Sequence, residues 1–365
     1  MDQISQPAGP RLLSLDAFRG ATMALMVLVN NPGDGEHTYG PLQHAHWNGW
    51  TLTDTVFPSF LWIVGVAITL SLGKRLSAGI PRGHLIAQVL RRAAILYVLG
   101  LVVYAYPLNL STQRWLGVLQ RIAICYLVAS AIYLTTGVRG QLIWIASLLI
   151  VYWLVMKLVP VPGYGAGDLA VGHNLANYID KAVLGRHNYA GTKEWDPEGI
   201  LSTLPAIATT LFGVMAGHLL RLKRRLSERA RWLLLAGVLL IALGQLANIW
   251  LPINKKLWTS SFSLFMAGLD FAVFALFLWL VDGRGYQRAV KPLVMIGMNA
   301  ITIYMISELL DTALSGLHWR GALFHAVFAP LASPYNASLL YALAYTLLMW
   351  LIAYAMYRRG WFWRV

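Results

Sequence analysis

The chain has 365 residues, of which 58% are hydrophobic and only 12% charged, with a mean hydropathy of +0.59. About a quarter of the residues of a soluble globular domain are charged, so that class is excluded. The net charge of +14 sits mostly in short segments between apolar runs, which speaks for membrane topology rather than nucleic acid; the lone cysteine, Cys125, lies inside an apolar run and excludes intrachain disulfides and cysteine metal sites.

Apolar stretches of about 20 residues recur along the chain and predict an all-α, polytopic integral membrane protein forming a single domain over 1–365. Ten spans are expected, roughly at 14–31, 52–72, 93–106, 115–135, 141–159, 200–220, 232–251, 258–281, 292–313 and 337–357. The first ten residues are polar and the first apolar run lacks a small-residue cleavage site, so no cleavable leader is expected. Segments 74–92, 221–231, 284–291 and 358–364, with Arg11 and Arg139, hold 19 of the 29 Lys and Arg residues. That bias predicts that both termini are cytoplasmic, as an even number of spans requires.

The first span carries Asp16 and Arg19, an i,i+3 pair on one helix face. Arg19 lies seven residues beyond Leu12, about 10 Å into the span at 1.5 Å per residue. It is either half of an intrahelical salt bridge or a grip for a phosphorylated ligand entering from the cytosol. The span ends at Asn30-Asn31. The following outside segment, 32–51, holds His37, His44, His46, Trp47 and Asn48, and Asp54 follows at the start of the second span. Polar and ionisable side chains this close to the bilayer mark a water-filled site or substrate path. An imidazole can take a proton from an attacking amine or hydroxyl, and an asparagine amide can hold a carbonyl or its oxyanion. His44 and Asn30 are therefore candidates for catalysis, or else they cap helix ends. Zinc binding by His37, His44 and His46 lacks a third ligand of the right spacing and any HExxH, so no metal is expected.

Arg91 and Arg92 precede the third span, and Arg121 lies six residues inside the fourth, with Asp54 and Asp270 as plausible partners. Segment 160–199 is long for a connector, rich in aromatics, and carries Asp196 and Glu198; an ordered lid over the mouth is expected. Gly213 and Gly217 form a GxxxG, the pattern of close helix packing. Glu308 and Asp311 near the outer end of the ninth span repel each other unless a cation such as an amine visits, or are simply solvated.

Long ordered strings in the chain resemble the heparan-α-glucosaminide N-acetyltransferase family and its bacterial branch associated with N-acetylglucosamine use. They are SLDAFRG (14–20), HAHWNGWTLTDTVFPSFLWIVG (44–65), LGVLQRIAICY (116–126), WDPEGILSTLPAIATTLFG (195–213), LPINKKLWTSSF (251–262) and GMNAITIY (297–304). The resemblance implies a transmembrane acetyltransferase that takes acetyl from cytosolic acetyl-CoA and delivers it to the amino group of a glucosamine on the opposite face. It places the active histidine on His44, as base or nucleophile, and the active-site asparagine on Asn30. Arg19, Arg91, Arg92 and Arg121 are the candidate cofactor contacts, and Trp47, Asn48, Asp54, Asp196, Glu198 and Glu308 the candidate substrate contacts. Expected partners are acetyl-CoA, an amino-sugar or glycan acceptor and membrane lipid, with a homodimer open and no nucleic acid; the expected location is the bacterial inner membrane. The family's large luminal N-terminal domain and extra first span have no counterpart here, and an acidic-histidine patch is added at 34–37. Both bear on the acceptor, so a bacterial amino sugar or cell-wall glycan is expected rather than heparan sulfate. The alternatives are an amino-sugar transporter without chemistry, disfavoured by the lack of a detectable repeat, and a glycan O-acetyltransferase.

Overall fold

Apolar composition alone forces helices: inside a bilayer every backbone N–H and C=O must pair within its own segment. In the computed structural model, which describes residues 12–105 and 109–363, the chain is accordingly a helical bundle. Arg11 and Arg364 lie outside the described residues. The helices are α1 (Leu13–Asn30), α2 (Leu52–Ser77), α3 (Arg82–Val103), α4 (Val118–Thr135), α5 (Val138–Leu158), α6 (Leu175–Leu184), α7 (Thr203–Leu220), α8 (Leu226–Ala247), α9 (Ser260–Phe277), α10 (Gln287–Met298), α11 (Ala300–Gly316), α12 (Trp319–Leu323) and α13 (Pro334–Arg358). Among the described residues nine helices are long and apolar enough to span a membrane, or ten if the bent pair α10–α11 counts as one.

Burial sorts them into layers. In α2 and α7, 78% of the apolar window is buried, against 22% in α8 and 28% in α3 and α5. The first two form the centre, and the other three present apolar side chains outward to lipid. The central crossing is a backbone contact. A Cβ at Gly65 would fall 1.9 Å from the Thr210 carbonyl oxygen, and one at Gly213 would fall 1.9 Å from that of Trp62. The GxxxG therefore does pack helices, against α2.

Two spans depart from expectation. The third starts at Arg82 rather than 93, so Arg91 and Arg92 belong to the helix and not to a loop. The ninth is broken: α10 and α11 meet at 66°. At the break, Asn299 leaves helical geometry, with φ −123° and ψ 30°, and its side chain pairs with the chain terminus instead. The amide donates to the Trp361 carbonyl at 3.0 Å, and its oxygen accepts from the Trp363 backbone N–H at 3.2 Å. One side chain thus ties the break between α10 and α11 to the backbone that follows α13.

Segment 160–199 is folded. A short antiparallel pair, β1 (Pro160–Val161) with β2 (Gly165–Ala166), precedes α6. Tyr152 and Met156 of α5 pack with Val161, Leu175, Leu251 and Leu257, which ties this segment to the 251–258 loop.

Candidate active site

The site forms where two loops are joined at one end of the bundle. Gly49 N–H donates to the Ile253 carbonyl at 2.7 Å, Asn254 donates to the Asn48 side chain at 3.2 Å, and Lys256 donates to the His46 carbonyl at 2.7 Å. Gly49 has φ +96°, a backbone state that a side chain rarely tolerates. Asn48 is thus part of the joint between the loops.

Asp54 does two jobs. As the third residue of α2 it closes a capping box with Thr51, accepting from the Thr51 backbone N–H at 3.0 Å and from its hydroxyl at 3.1 Å. Its other oxygen lies 2.7 Å from Nδ1 of His44. An ionised carboxylate can only accept, so the imidazole proton sits on Nδ1 and Nε2 carries the lone pair. Asp54 is 1% exposed and fully engaged. Asp54 thus contacts His44, and it is no partner for Arg121, which corrects that expectation.

His44 keeps 47% of its side chain exposed, so Nε2 can be reached. Lys255 Nζ lies 3.3 Å from Nδ1, 3.4 Å from Nε2 and 3.9 Å from Asp54. Burial and the Lys255 charge hold the imidazole below its ordinary pKa, against the opposing pull of Asp54 and Glu198. A neutral imidazole oriented by a carboxylate is a competent base at neutral pH. Lys255 is itself lowered by burial, an effect opposed by Glu198 and Asp54.

Within segment 160–199, Asp196 and Glu198 are both bound by a third residue. Arg114 donates through Nε to Asp196 at 2.8 Å, and through Nη2 to Asp196 and Glu198 at 2.5 Å each. Its guanidinium lies between the rings of Tyr104 and Tyr189, 4.8 and 4.6 Å from their centroids. Burial raises the Glu198 carboxyl, but Arg114, Arg121 and Lys255 outweigh it and hold the group below its usual range. Through Arg114 the two acids tie segment 160–199 to the stretch before α4. Asp180 of α6, pushed up to about 6 by burial, accepts backbone N–H bonds from Asp196 and Ile200 and so shapes the turn that carries both acids. Trp47 joins the same structure, with its indole N–H on the Leu169 carbonyl at 2.9 Å and its ring edge-on to Trp195 at 5.6 Å.

Arg121 is fully buried and donates to the Gly199 carbonyl and the Ser202 hydroxyl, with Trp258 against its guanidinium. Neither Asp54 nor Asp270 is its partner; Asp270 accepts from Ser59 at 2.5 Å. Arg121 anchors the start of α7 and is not among the residues that line the cavity formed between α1, α2, α3, α4, α10 and α11.

Asn30 and His44 are not hydrogen-bonded to each other. The Asn30 amide donates to Glu308 at 3.3 Å, and Asp311 pairs with Arg320 at 2.9 Å, which separates the two acids of α11 by function. Below Glu308 lies Tyr304, whose hydroxyl meets that of Tyr104. Tyr304 also lines a cavity of about 540 Å³ between α1, α2, α3, α4, α10 and α11. Its walls are apolar, including Met23, Met26, Phe60, Ile63, Leu119 and Ile122, and it is also lined by Arg19, Arg92 and Trp363. Arg19 bonds Asp16 at 3.4 Å and the Gly297 carbonyl at 3.2 Å. Arg91 is exposed on the other side of α3 and does not line it. Helix rise fixes the cavity relative to the site. Met26 is four residues below Asn30 and Phe60 six below Asp54, so the apolar end stops roughly 6–9 Å short of the polar cluster.

Among the described residues no three His, Cys, Asp or Glu side chains converge as a metal-ligand set. His37 pairs with Asp34 at 2.6 Å, apart from His44. Arg114 and Lys255 do not stand out in the sequence, where each is one basic residue in a segment between apolar runs. A signal existed for Asp54, the T-x-x-D capping box at 51–54, but no local pattern announces a lysine that reaches across 211 positions to a histidine.

A family model described as the catalytic part of heparan-alpha-glucosaminide N-acetyltransferase matches residues 11–251. Among curated proteins, the heparan-alpha-glucosaminide N-acetyltransferase of Homo sapiens is 30% identical over 98% of this chain and 60% of its own length. That of Mus musculus is 28% identical over 97% and 60%. The chain thus spans about 60% of the length of these relatives.

Proposed function

The chain belongs to the heparan-alpha-glucosaminide N-acetyltransferase catalytic family, and from that premise we propose that it is an integral membrane acetyltransferase moving acetyl from acetyl-CoA to the amino group of a glucosamine-type sugar. The observation that carries this reading is a relation between two places. An oriented, neutral histidine stands at one end of the bundle, and an apolar cavity with Arg19 and Arg92 among its walls stops short of it from the other. A thioester donor needs that arrangement: cations for its phosphates, an apolar path for its arm and a base at its reacting end.

In this reading the basic end of the bundle faces the cytosol of a bacterial inner membrane, as the charge bias argues. The acceptor amine approaches His44 from outside. Amide formation requires attack by the amine nitrogen on the thioester carbon, loss of an amine proton and departure of sulfur. His44 Nε2 takes the proton and Asp54 stabilises the imidazolium that results. The proton then leaves with the thiol. Asn30 is assigned to the substrate carbonyl, for which it exchanges its present bond to Glu308.

Product analysis tests the proposal. Purified protein in liposomes, given labelled acetyl-CoA on the basic face and glucosamine on the other, is expected to yield base-stable N-acetylglucosamine. Flux of unmodified sugar without acetylation would mark a carrier, and a base-labile product would mark O-acetylation; either outcome overturns the reading.

Donor contact carries a second prediction. Arg19→Ala is expected to weaken acetyl-CoA binding by roughly ten- to a hundred-fold, the worth of a charge-assisted hydrogen bond, while the KM for the sugar stays within about twofold. Calorimetric titration with acetyl-CoA checks it. Unchanged affinity in a well-folded variant would leave Arg19 only the structural role of joining α1 to α10 through Asp16 and Gly297.

A further inference from the structure

The sequence resemblance points to a histidine and an asparagine, and neither supplies a fixed positive charge where the reaction develops a negative one. We propose that Lys255 is a further catalytic residue, its ammonium receiving the oxyanion that forms at the carbonyl attacked beside His44. This rests on the acetyl-transfer reading above.

Position is the first argument. Lys255 Nζ is almost equidistant from the two ring nitrogens of His44, at 3.3 and 3.4 Å. A point equidistant from Nδ1 and Nε2 lies on the plane that bisects the ring through Cε1. The in-plane lone pair of Nε2 points away from that plane, so the ammonium stands beside the base without occupying its proton-accepting direction. An amine bound at Nε2 places the carbon it attacks one bond away and the oxyanion two bonds away, within the space the ammonium commands.

The second argument is availability. Lys255 keeps only 16% of its side chain exposed, so its charge acts in a partly desolvated place where it is worth more than in water. Burial works against that charge and lowers the Lys255 pKa, while Glu198 and Asp54 at 3.9 Å oppose the loss. Among the described residues, though, no carboxylate accepts a hydrogen bond from Nζ, which leaves its hydrogens for a substrate oxygen.

The third is that the position is imposed from outside. The Asn254 side chain accepts from Leu257 N–H at 2.9 Å and donates to Asn48, while Lys256 is fixed on the His46 carbonyl. The lysine is therefore carried to His44 by the same joint that forms the site, ready before substrate arrives.

In the step itself, the amine nitrogen forms a bond to the acetyl carbon and the carbonyl electron pair moves to oxygen beside Lys255. Nε2 takes one amine proton. Collapse restores the carbonyl, breaks the carbon–sulfur bond and passes that proton to the departing thiolate, so thioester and amine become amide and thiol.

The charged groups facing His44 are Asp54 from α2, Glu198 from the lid and Lys255 from the 251–258 loop. Removing the lysine leaves two carboxylates, so the imidazole must become easier to protonate. Full-length Lys255→Met and Lys255→Arg proteins are compared with the parent in two measurements. The first is kcat across pH with acetyl-CoA and glucosamine. The second is the rate of diethylpyrocarbonate modification of the His44 peptide across pH, read by mass spectrometry without any turnover. Lys255→Met is expected to lose roughly 10²-fold or more in kcat, and to shift both profiles to higher pH. Lys255→Arg keeps the charge and is expected to retain the parent's His44 profile and part of its kcat. A Lys255→Met protein with parental kcat overturns the proposal, as does equal loss of kcat in both variants with an unmoved His44 profile. Absence of acetyl transfer in the parent itself is the separate failure of the acetyl-transfer reading, and the modification profile still reports whether Lys255 governs His44.

Discussion

Replacing His44 with alanine is expected to leave acetyl-CoA binding intact and to reduce acetyl transfer by about 10²- to 10⁴-fold, the usual cost of losing a general base. His44 is not among the residues that line the apolar cavity, so its walls are untouched by the change. In the parent, kcat/KM is expected to rise with pH as the imidazole loses its proton. Because burial and Lys255 hold its pKa below the ordinary value, that rise falls on the acid side of about 6.5. A second rise at higher pH belongs to the acceptor amine and persists in the variant. Asp54→Asn tests orientation: an amide in place of the carboxylate no longer demands a proton on Nδ1, and transfer should fall while donor binding holds. His46→Ala is the control. What the structure uses at that position is the backbone carbonyl that accepts from Lys256, which alanine keeps. Equal losses in the His44 and His46 variants, together with inhibition of the parent by a chelator, would transfer the role to a metal. An acetyl group trapped on His44 in the absence of acceptor would keep the residue and make it a nucleophile.

The largest effect on stability is expected at Arg114. Arg114→Met removes one cation from between two acids, with Asp196 2% and Glu198 6% exposed. Breaking a buried ion pair costs about 3–5 kcal/mol because the remaining charge is left without compensation. Here two carboxylates face each other as well, and the guanidinium also leaves the rings of Tyr104 and Tyr189. Thermal unfolding in detergent should show a large fall in Tm, and limited proteolysis should open the lid at 160–199 first. Arg114→Met with Glu198→Gln and Asp196→Asn removes the two stranded charges and should recover part of the loss. Without that recovery, packing against the tyrosines, and not charge, is what Arg114 contributes.

These two predictions differ in how far the sequence anticipates them. His44 lies in a string whose residue types are already anomalous: histidines, an amide and an aspartate at the edge of a bilayer are costly, and that cost is visible without coordinates. The same holds for the helices. Length and hydropathy determine an all-helical membrane bundle because unpaired backbone is prohibitive in lipid, and the glycine spacing at 213 and 217 foretells a close crossing because only glycine lets two backbones touch. The Asp16–Arg19 pair is legible too, since helical geometry alone brings i and i+3 together.

Where a charge finds its partner across the bundle, local pattern is silent. Arg121 had two acids within reach on paper, and the fold gave it a carbonyl and a hydroxyl instead. Asp196 and Glu198 suggest a substrate site until Arg114, 82 and 84 positions away, occupies both. Asn299 sits in an apolar run that reads as one helix, yet the helix breaks there and the Asn299 side chain binds the backbone after α13. The physical reason is the same in each case. Burial of apolar surface and pairing within a helix depend on neighbours in sequence, and so the chain itself determines the spans. The partner of a buried charge is chosen by three-dimensional proximity in a medium without water, and so only the tertiary structure decides that His44 stands between Asp54 and Lys255.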